Sequence, residues 1–245
     1  VELMEKEIVN VLCMKWGTKY PADYVNKLYS MVARNMSRPF RFICLTEDGV
    51  GTHENVEVFP LPELSVDLAG PERGWNKLAV FAETLYDLKG KVLCLDLDLI
   101  ITGSLDDLFD YPGEVMIIKD WIKKDGTGNS SVYRFEVGAH PEILNEFEKS
   151  FQQFKKTHRN EQEYLSAALM AKNALVYWPD EWCRSFKRHC LKPFWFLIAR
   201  ETQVPDNARV IVFHGKPDPH EAIAGVSGKW YRRFKPATWI SEHWR

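Results

Sequence analysis

The 245 residues carry 32 Lys and Arg against 34 Asp and Glu, a formal net charge of −2, so no overall positive field favours a nucleic-acid partner. The composition, 45% hydrophobic and 27% charged, is that of an ordinary soluble globular protein, and the length suits a single domain over residues 1–245 with a sizeable core. No apolar run approaches the roughly 20 residues that span a bilayer and no signal-peptide pattern opens the sequence, so the expected location is cytoplasmic, or peripheral to the inner face of the membrane.

Strand-like and helix-like segments alternate along the chain. Residues 8–14 form an apolar run of strand length, residues 21–36 have helical spacing through Tyr24, Leu28, Met31 and Val32, and residues 40–45 read as a second strand. A short strand over 56–59 and a helix over 76–88, with Leu78, Phe81, Ala82 and Leu85 on one side, lead to an apolar strand over 92–95. The second half is less regular: strands are predicted over 114–118, 131–135, 174–178 and 209–213, and helices over 142–156 and 161–172. Alternation of β and α predicts an α/β fold, a mostly parallel central sheet flanked by helices. Residues 225–245 form a basic and aromatic tail, with Lys229-Trp230-Tyr231-Arg232-Arg233-Phe234-Lys235 followed by Trp239 and Trp244.

The most informative segment is Leu95-Asp96-Leu97-Asp98. Residues i and i+2 of a strand share a face, so Asp96 and Asp98 point the same way with Leu97 opposite. An unpaired buried carboxylate costs several kcal/mol, which a cation between the two would offset. Mg²⁺ and Mn²⁺ prefer carboxylate oxygen and share their open positions with nucleotide phosphates. Both aspartates also suit an N-cap or a solvated turn, and spacing alone leaves the two readings open. Their place beyond the carboxyl end of a strand is where open α/β sheets bind ligands.

Cys13, Cys44 and Cys94 lie in apolar runs and read as reduced core residues. Cys183, His189 and Cys190 fit no standard zinc spacing and lack a fourth ligand nearby. The triplets Asn35-Met36-Ser37 and Asn129-Ser130-Ser131 match a glycosylation acceptor but need a secretory route that the sequence does not show.

Asp96-Leu97-Asp98 with Thr102-Gly103-Ser104-Leu105-Asp106-Asp107-Leu108 resembles the Asp-x-Asp segment of the retaining nucleotide-sugar glycosyltransferases of family 8, which include glycogenin and bacterial lipopolysaccharide galactosyltransferases. Four further segments fall in that family's order: Gly74-Trp75-Asn76-Lys77-Leu78, Asn129-Ser130-Ser131-Val132, Asn160-Glu161-Gln162-Glu163-Tyr164-Leu165 and Phe213-His214-Gly215-Lys216-Pro217. The similarity runs from residue 8 to residue 220. Glu161 stands where the family usually has Asp, Ser131 where Gly is common, and His214 and Lys216 lie closer together than in the family's terminal segment.

The resemblance implies a GT-A fold and metal-dependent, retaining transfer of a hexose from UDP-glucose or UDP-galactose to a glycan or glycolipid acceptor, as in lipopolysaccharide or capsule synthesis. It implies Mn²⁺ or Mg²⁺ on Asp96, Asp98 and His214, and donor contacts from Lys77, Lys216 and Asp96. Trp16, Thr18 and Thr46 would flank the uridine, with Tyr20 and Asp48 nearby. Asn129, Glu161 and Gln162 would serve the sugar and the reaction, Gln162 supporting the transition state.

The chemistry is coherent, because negative charge builds on a leaving pyrophosphate and needs cations placed there. The helix dipole disfavours a lysine near a helix amino terminus, so an anionic ligand would explain Lys77, while a surface lysine is the plain alternative. Glu161 is equally a first-turn acid beside the cap Asn160. The tail's Trp and Tyr suit a membrane surface or stacking on sugars, and Trp230 and Trp239 also suit a core. A nucleotidyltransferase acting on sugar phosphates would be expected to carry a Gly-rich basic loop after the first strand, where residues 14–20 hold one glycine. A catalytically inactive nucleotide-sugar-binding module would be marked by loss of an Asp-x-Asp member or of Gln162, and both are present.

Overall fold

Seven strands of the computed structural model build one sheet that both halves of the sequence share; residues 8–192, 200–227 and 234–245 are described. In chain order the elements are β1 (Val9–Lys15), α1 (Ala22–Asn35), β2 (Phe40–Thr46), β3 (Glu57–Phe59), a 3₁₀ segment (Gly70–Phe81), β4 (Lys91–Leu95), β5 (Leu99–Ile101), α2 (Asp106–Asp110), β6 (Val115–Lys119) and β7 (Gly128–Glu136). There follow α3 (Pro141–Thr157), α4 (Glu161–Ala171), β8 (Leu175–Tyr177), β9 (Cys183–Ser185), a π-helical turn (Phe186–Cys190), β10 (Val210–Val212), α5 (Pro219–Ile223) and α6 (Trp239–His243).

The strand order is β3-β2-β1-β4-β7-β6-β8. β1 runs parallel to β2 and β4, β2 to β3, and β6 to β8, while β7 is antiparallel to both neighbours. The predicted α/β class and mostly parallel sheet therefore hold, with β7 as the exception. The inner strands are buried on both faces, which is why they read as continuous apolar runs. In β1, Val11 and Cys13 pack with Val25 and Leu28 of α1, whereas Leu12 joins Phe147 of α3 and Leu165 of α4 on the other side. All five cysteines are free and buried, as expected for the three in the strands.

A second sheet, β5-β10-β9, stands beside the first and was not foreseen, since β5 and β9 are three-residue strands too short to show a period. The α-helix expected over 76–88 is corrected to the 3₁₀ segment, followed by turns. Its large apolar residues Trp75, Leu78 and Phe81 recur every three residues and are all buried, and a 3₁₀ helix aligns i with i+3. Tyr86 has a φ of 53°, so no helix passes through it. β7 is longer than predicted, beginning at Gly128 rather than 131.

The end of the chain belongs to the core. Trp244 is 6% exposed and packs edge-on against Tyr24 with ring centroids 5.0 Å apart, and Lys27 Nζ lies 3.9 Å from the centroid of the Trp244 ring. Trp239 is half-buried beside Phe186. Trp230, Tyr231 and their basic neighbours lie outside the described residues. Among those described, no helix is long and apolar enough to cross a membrane.

Candidate active site

Five segments converge beyond the carboxyl end of β4. The backbone turns out of β4 at Asp96, whose N–H donates to Ser131 O at 2.9 Å, and re-enters as β5 after Asp98, whose carbonyl accepts from Phe213 N at 3.1 Å. This short connection puts Leu97 in the core and leaves both carboxylates half-buried. Lys77, from the 3₁₀ segment, donates to Asp96 Oδ1 at 2.5 Å and to Ser130 O at 3.3 Å. Tyr20, from the loop after β1, donates its hydroxyl to Asp98 Oδ2 at 2.7 Å.

A register shift in β7 brings its amino-terminal end to the pair. β6 opposes Tyr133 with Ile117 and then Asn129 with Ile118, so residues 130–132 are extra on β7 and turn toward β4. Ser130 Oγ donates to Glu161 Oε1 at 3.0 Å, and Ser130 N lies 3.4 Å from Gln162 Oε1. α4 starts here because Asn160 caps it, its side chain accepting from Glu163 N. Ser166 ties helix to strand, accepting from Gly128 N at 2.8 Å and donating to Gln162 O at 2.6 Å. Gly128 is required, since a Cβ there would sit 2.7 Å from an Ile117 methyl.

Burial lowers the proton affinity of the Lys77 ammonium, but Asp96, Glu161 and Asp98 outweigh it and the net shift is upward. Burial first, and Asp96 second, push the Asp98 carboxyl up to about 6. Burial likewise raises Glu161. Tyr20 is held protonated by burial and by Asp98. The cluster thus has more carboxylates than cations, an arrangement that a bound cation would relieve.

Other predicted residues are placed differently. His214 follows β10, but its Nε2 lies 2.6 Å from Ser185 Oγ and its ring stacks on Trp121 with centroids 5.6 Å apart. Burial first, then Lys187 and Arg188, push its proton affinity down to about 4. Among the described residues no group of three or more His, Cys, Asp or Glu is arranged to hold a metal ion, so His214 does not join Asp96 and Asp98 in a ready-made cage. Lys216 is exposed and paired with Asp218 (2.7 Å) and Glu221 (2.8 Å). Asn129 turns its carbonyl oxygen to Ser131 N at 3.1 Å. Thr46 is buried, with its hydroxyl bonded to the backbone of Asp48, whereas Trp16 is half-buried and Thr18 exposed.

Sequence reasoning missed Ser130, the polar role of Tyr20, and a clamp on the first loop. Glu47, exposed after β2, accepts from Gly17 N at 3.1 Å and forms an ion pair with Arg73, joining the loops after β1 and β2 to the 3₁₀ segment. Tyr20 carried only a weak signal, a phenol between Lys19 and Pro21 in the loop after β1. Glu47 and Arg73 carried none, being ordinary surface charges in sequence.

No protein-family model matches the chain, and comparison with curated proteins returns no match. Solved structures do match. The galactosyltransferase LgtC, in complex with donor and acceptor sugar analogues, superposes with a TM-score of 0.61 at 15% identity over 86% of this chain and 89% of that one. Mouse xyloside xylosyltransferase 1 gives 0.57 at 12% identity over 86% and 98%. The glycosyltransferase GlyE of Streptococcus pneumoniae gives 0.57 at 14% identity, over 87% of this chain and 56% of that one. With its mixed, mostly parallel sheet and the site beyond the end of β4, the chain has the GT-A glycosyltransferase fold.

Proposed function

We propose that this protein is a metal-dependent glycosyltransferase that moves a hexose from a nucleoside diphosphate sugar, UDP-glucose or UDP-galactose, to a glycan or glycolipid acceptor with retention. The observation that carries the reading is the half-buried pair Asp96 and Asp98, with Lys77 on one carboxylate, at the carboxyl end of β4 in a GT-A fold.

The pair fits a hard divalent cation. Asp96 engages Lys77 through Oδ1 and Asp98 engages Tyr20 through Oδ2, which leaves one oxygen of each carboxylate for a ligand. The Asp98 carboxyl is raised by burial first and by the neighbouring Asp96 second, and a bound cation would offset both. Asp96 and Asp98 would hold Mn²⁺ or Mg²⁺, with His214 as third ligand after leaving Ser185. When bound, the ion supplies positive charge to the departing diphosphate.

The chain's own residues do the rest. Lys77 places a permanent ammonium between Asp96 and Glu161, where it steers and neutralises donor phosphate. Tyr20 fixes the Asp98 rotamer. Ser130 orients the Glu161 carboxylate toward sugar hydroxyls, and Gln162, whose main chain is pinned by Ser166, stands by the reacting face. Trp16 offers a partly open aromatic face to the base, on a loop held by Glu47 and Arg73.

The test is release of nucleoside diphosphate from a panel of nucleotide sugars, with and without Mn²⁺. The expected result is Mn²⁺-dependent release from a UDP-hexose, reduced at least about 100-fold by Asp96→Ala or Asp98→Ala. Unchanged metal-dependent turnover in both variants would refute the metal assignment. Anomeric coupling constants of the product read the stereochemistry, and an inverted linkage would overturn retention.

A further inference from the structure

The acid cluster holds three carboxylates, Asp96, Asp98 and Glu161, against the single ammonium of Lys77. A divalent ion on the aspartate pair would bring the cluster to neutrality and no further. The diphosphate of a nucleotide sugar then brings negative charge of its own, and gains more as it departs with the bonding electron pair. A second cation within reach of the pair would offset that charge.

Most cations at this end of the molecule are already ion-paired. Lys77 is paired with Asp96, Arg73 with Glu47 and Lys123 with Glu163. Lys216, which lines a cavity beside β10 with Phe186, Lys187 and Arg188, is paired with Asp218 and Glu221. Lys19 differs, because it is exposed on the loop after β1 and held by a neutral group. Its Nζ donates to Tyr20 Oη at 2.5 Å and lies 4.3 Å from the centroid of the same ring. The Tyr20 hydroxyl in turn donates to Asp98 Oδ2, so this ammonium stands two hydrogen bonds from the acid pair. It is on the Asp98 side, whereas Lys77 is on the Asp96 side.

An exposed ammonium over a phenol ring is weakly held, and a phosphate oxygen is a stronger, charge-assisted acceptor. Tyr20 gives its proton to Asp98 and only accepts from Lys19, so the lysine can leave without breaking the Asp98 contact. The loop is anchored by the bond from Gly17 N to Glu47, which gives the lysine stem a fixed base. We propose that Lys19 is a second phosphate-binding residue, which moves from the Tyr20 hydroxyl to the donor diphosphate and neutralises it from the Asp98 side. This rests on the glycosyltransferase reading.

The experiment is calorimetric titration of the full chain with UDP and with uridine, both in the presence of Mn²⁺. The variants are Lys19→Met, Lys19→Arg, Tyr20→Phe, and Lys19→Met combined with Tyr20→Phe. Lys19→Met should weaken UDP binding by about tenfold, the worth of one charge-assisted hydrogen bond, and change uridine binding by less than about twofold. Its melting temperature should not change, since the side chain is exposed. Lys19→Arg keeps the charge and should stay within about threefold of the parent. In the Tyr20→Phe background the loss caused by Lys19→Met should be just as large, because the partner in the complex is phosphate and not the phenol. Unchanged UDP affinity in Lys19→Met, an equal loss for uridine, or no recovery in Lys19→Arg would each overturn the assignment and leave the glycosyltransferase reading standing. Disappearance of the loss in the Tyr20→Phe background would do the same, by showing that Lys19 acts only through Tyr20. Failure of the parent to bind UDP at all would overturn the functional reading and the Lys19 assignment with it.

Discussion

The acid cluster at β4 and the basic cavity beside β10 are neighbours built in opposite ways. The first draws its side chains from five separate segments of the large sheet and its cover, and each is fixed by a hydrogen bond: Lys77 to Asp96, Tyr20 to Asp98, Ser130 to Glu161. The second collects long cations from short elements around a three-residue strand, and Arg188 and Lys216 are exposed. A half-buried network of charges is rigid because losing one partner strands another, whereas exposed cations adapt at little cost.

Substitutions test that contrast with effects that shrink in order. Lys77→Ala should act on both function and stability, because it leaves Asp96 and Glu161 facing each other without their cation. Turnover should fall by about 100-fold, and chemical denaturation should show a loss of about 2 kcal/mol, below the ~3–5 of a fully buried pair because the Asp96 side chain keeps 27% of its exposure. A variant with full activity would show that the cluster is not preorganised. Tyr20→Phe removes one hydrogen bond to Asp98 without removing the ring, and a kcat/KM loss of about fivefold is expected from the value of such a bond. An unchanged kcat/KM would remove Tyr20 from the positioning of Asp98.

Glu161→Gln separates function from stability. A carboxyl whose proton affinity is raised by folding favours the folded state while protonated, so ionising it costs stability. That cost is absent below the ordinary glutamate range and grows as pH climbs through it toward the raised value. The variant should therefore melt a few degrees higher than the parent at neutral pH, match it in acid, and lose activity. Equal melting at both pH values would contradict the burial of this charge. Lys216→Ala should have the smallest effect. Its partners sit at the surface, so melting should not change, while the donor KM rises by about threefold. A collapse in stability would show the basic side to be as rigid as the acid one.

Much of the site was legible as types and order. Asp96, Asp98, Lys77, Glu161 and Gln162 come together, but the two aspartates stand on the turn between β4 and β5 rather than on one continuous strand, while Glu161 and Gln162 are placed by a capped helix start. His214 was legible as the end of an apolar strand, but the direction of its imidazole was not. It is set by Ser185 on β9 and by Trp121, 29 and 93 residues away in sequence. The 76–88 segment misled because Trp75, Leu78, Ala79, Val80 and Phe81 are all buried, and a segment wedged between layers has no polar face to give its period.

The sequence by itself determined the class of the fold and the chemistry at its edge: alternating apolar runs demand a covered, mostly parallel sheet, and two aspartates at a strand end demand a polar or ionic partner. Only the tertiary structure decided who that partner is. The β7 register shift, the antiparallel placement of β7 and the pairing of β5 with β10 are non-local, and they alone bring Ser130 and Glu161 to Lys77 and set a cationic cavity beside the acid pair. Local propensity acts over a few residues, while these contacts join segments tens of residues apart, so their geometry appears only when the core is packed.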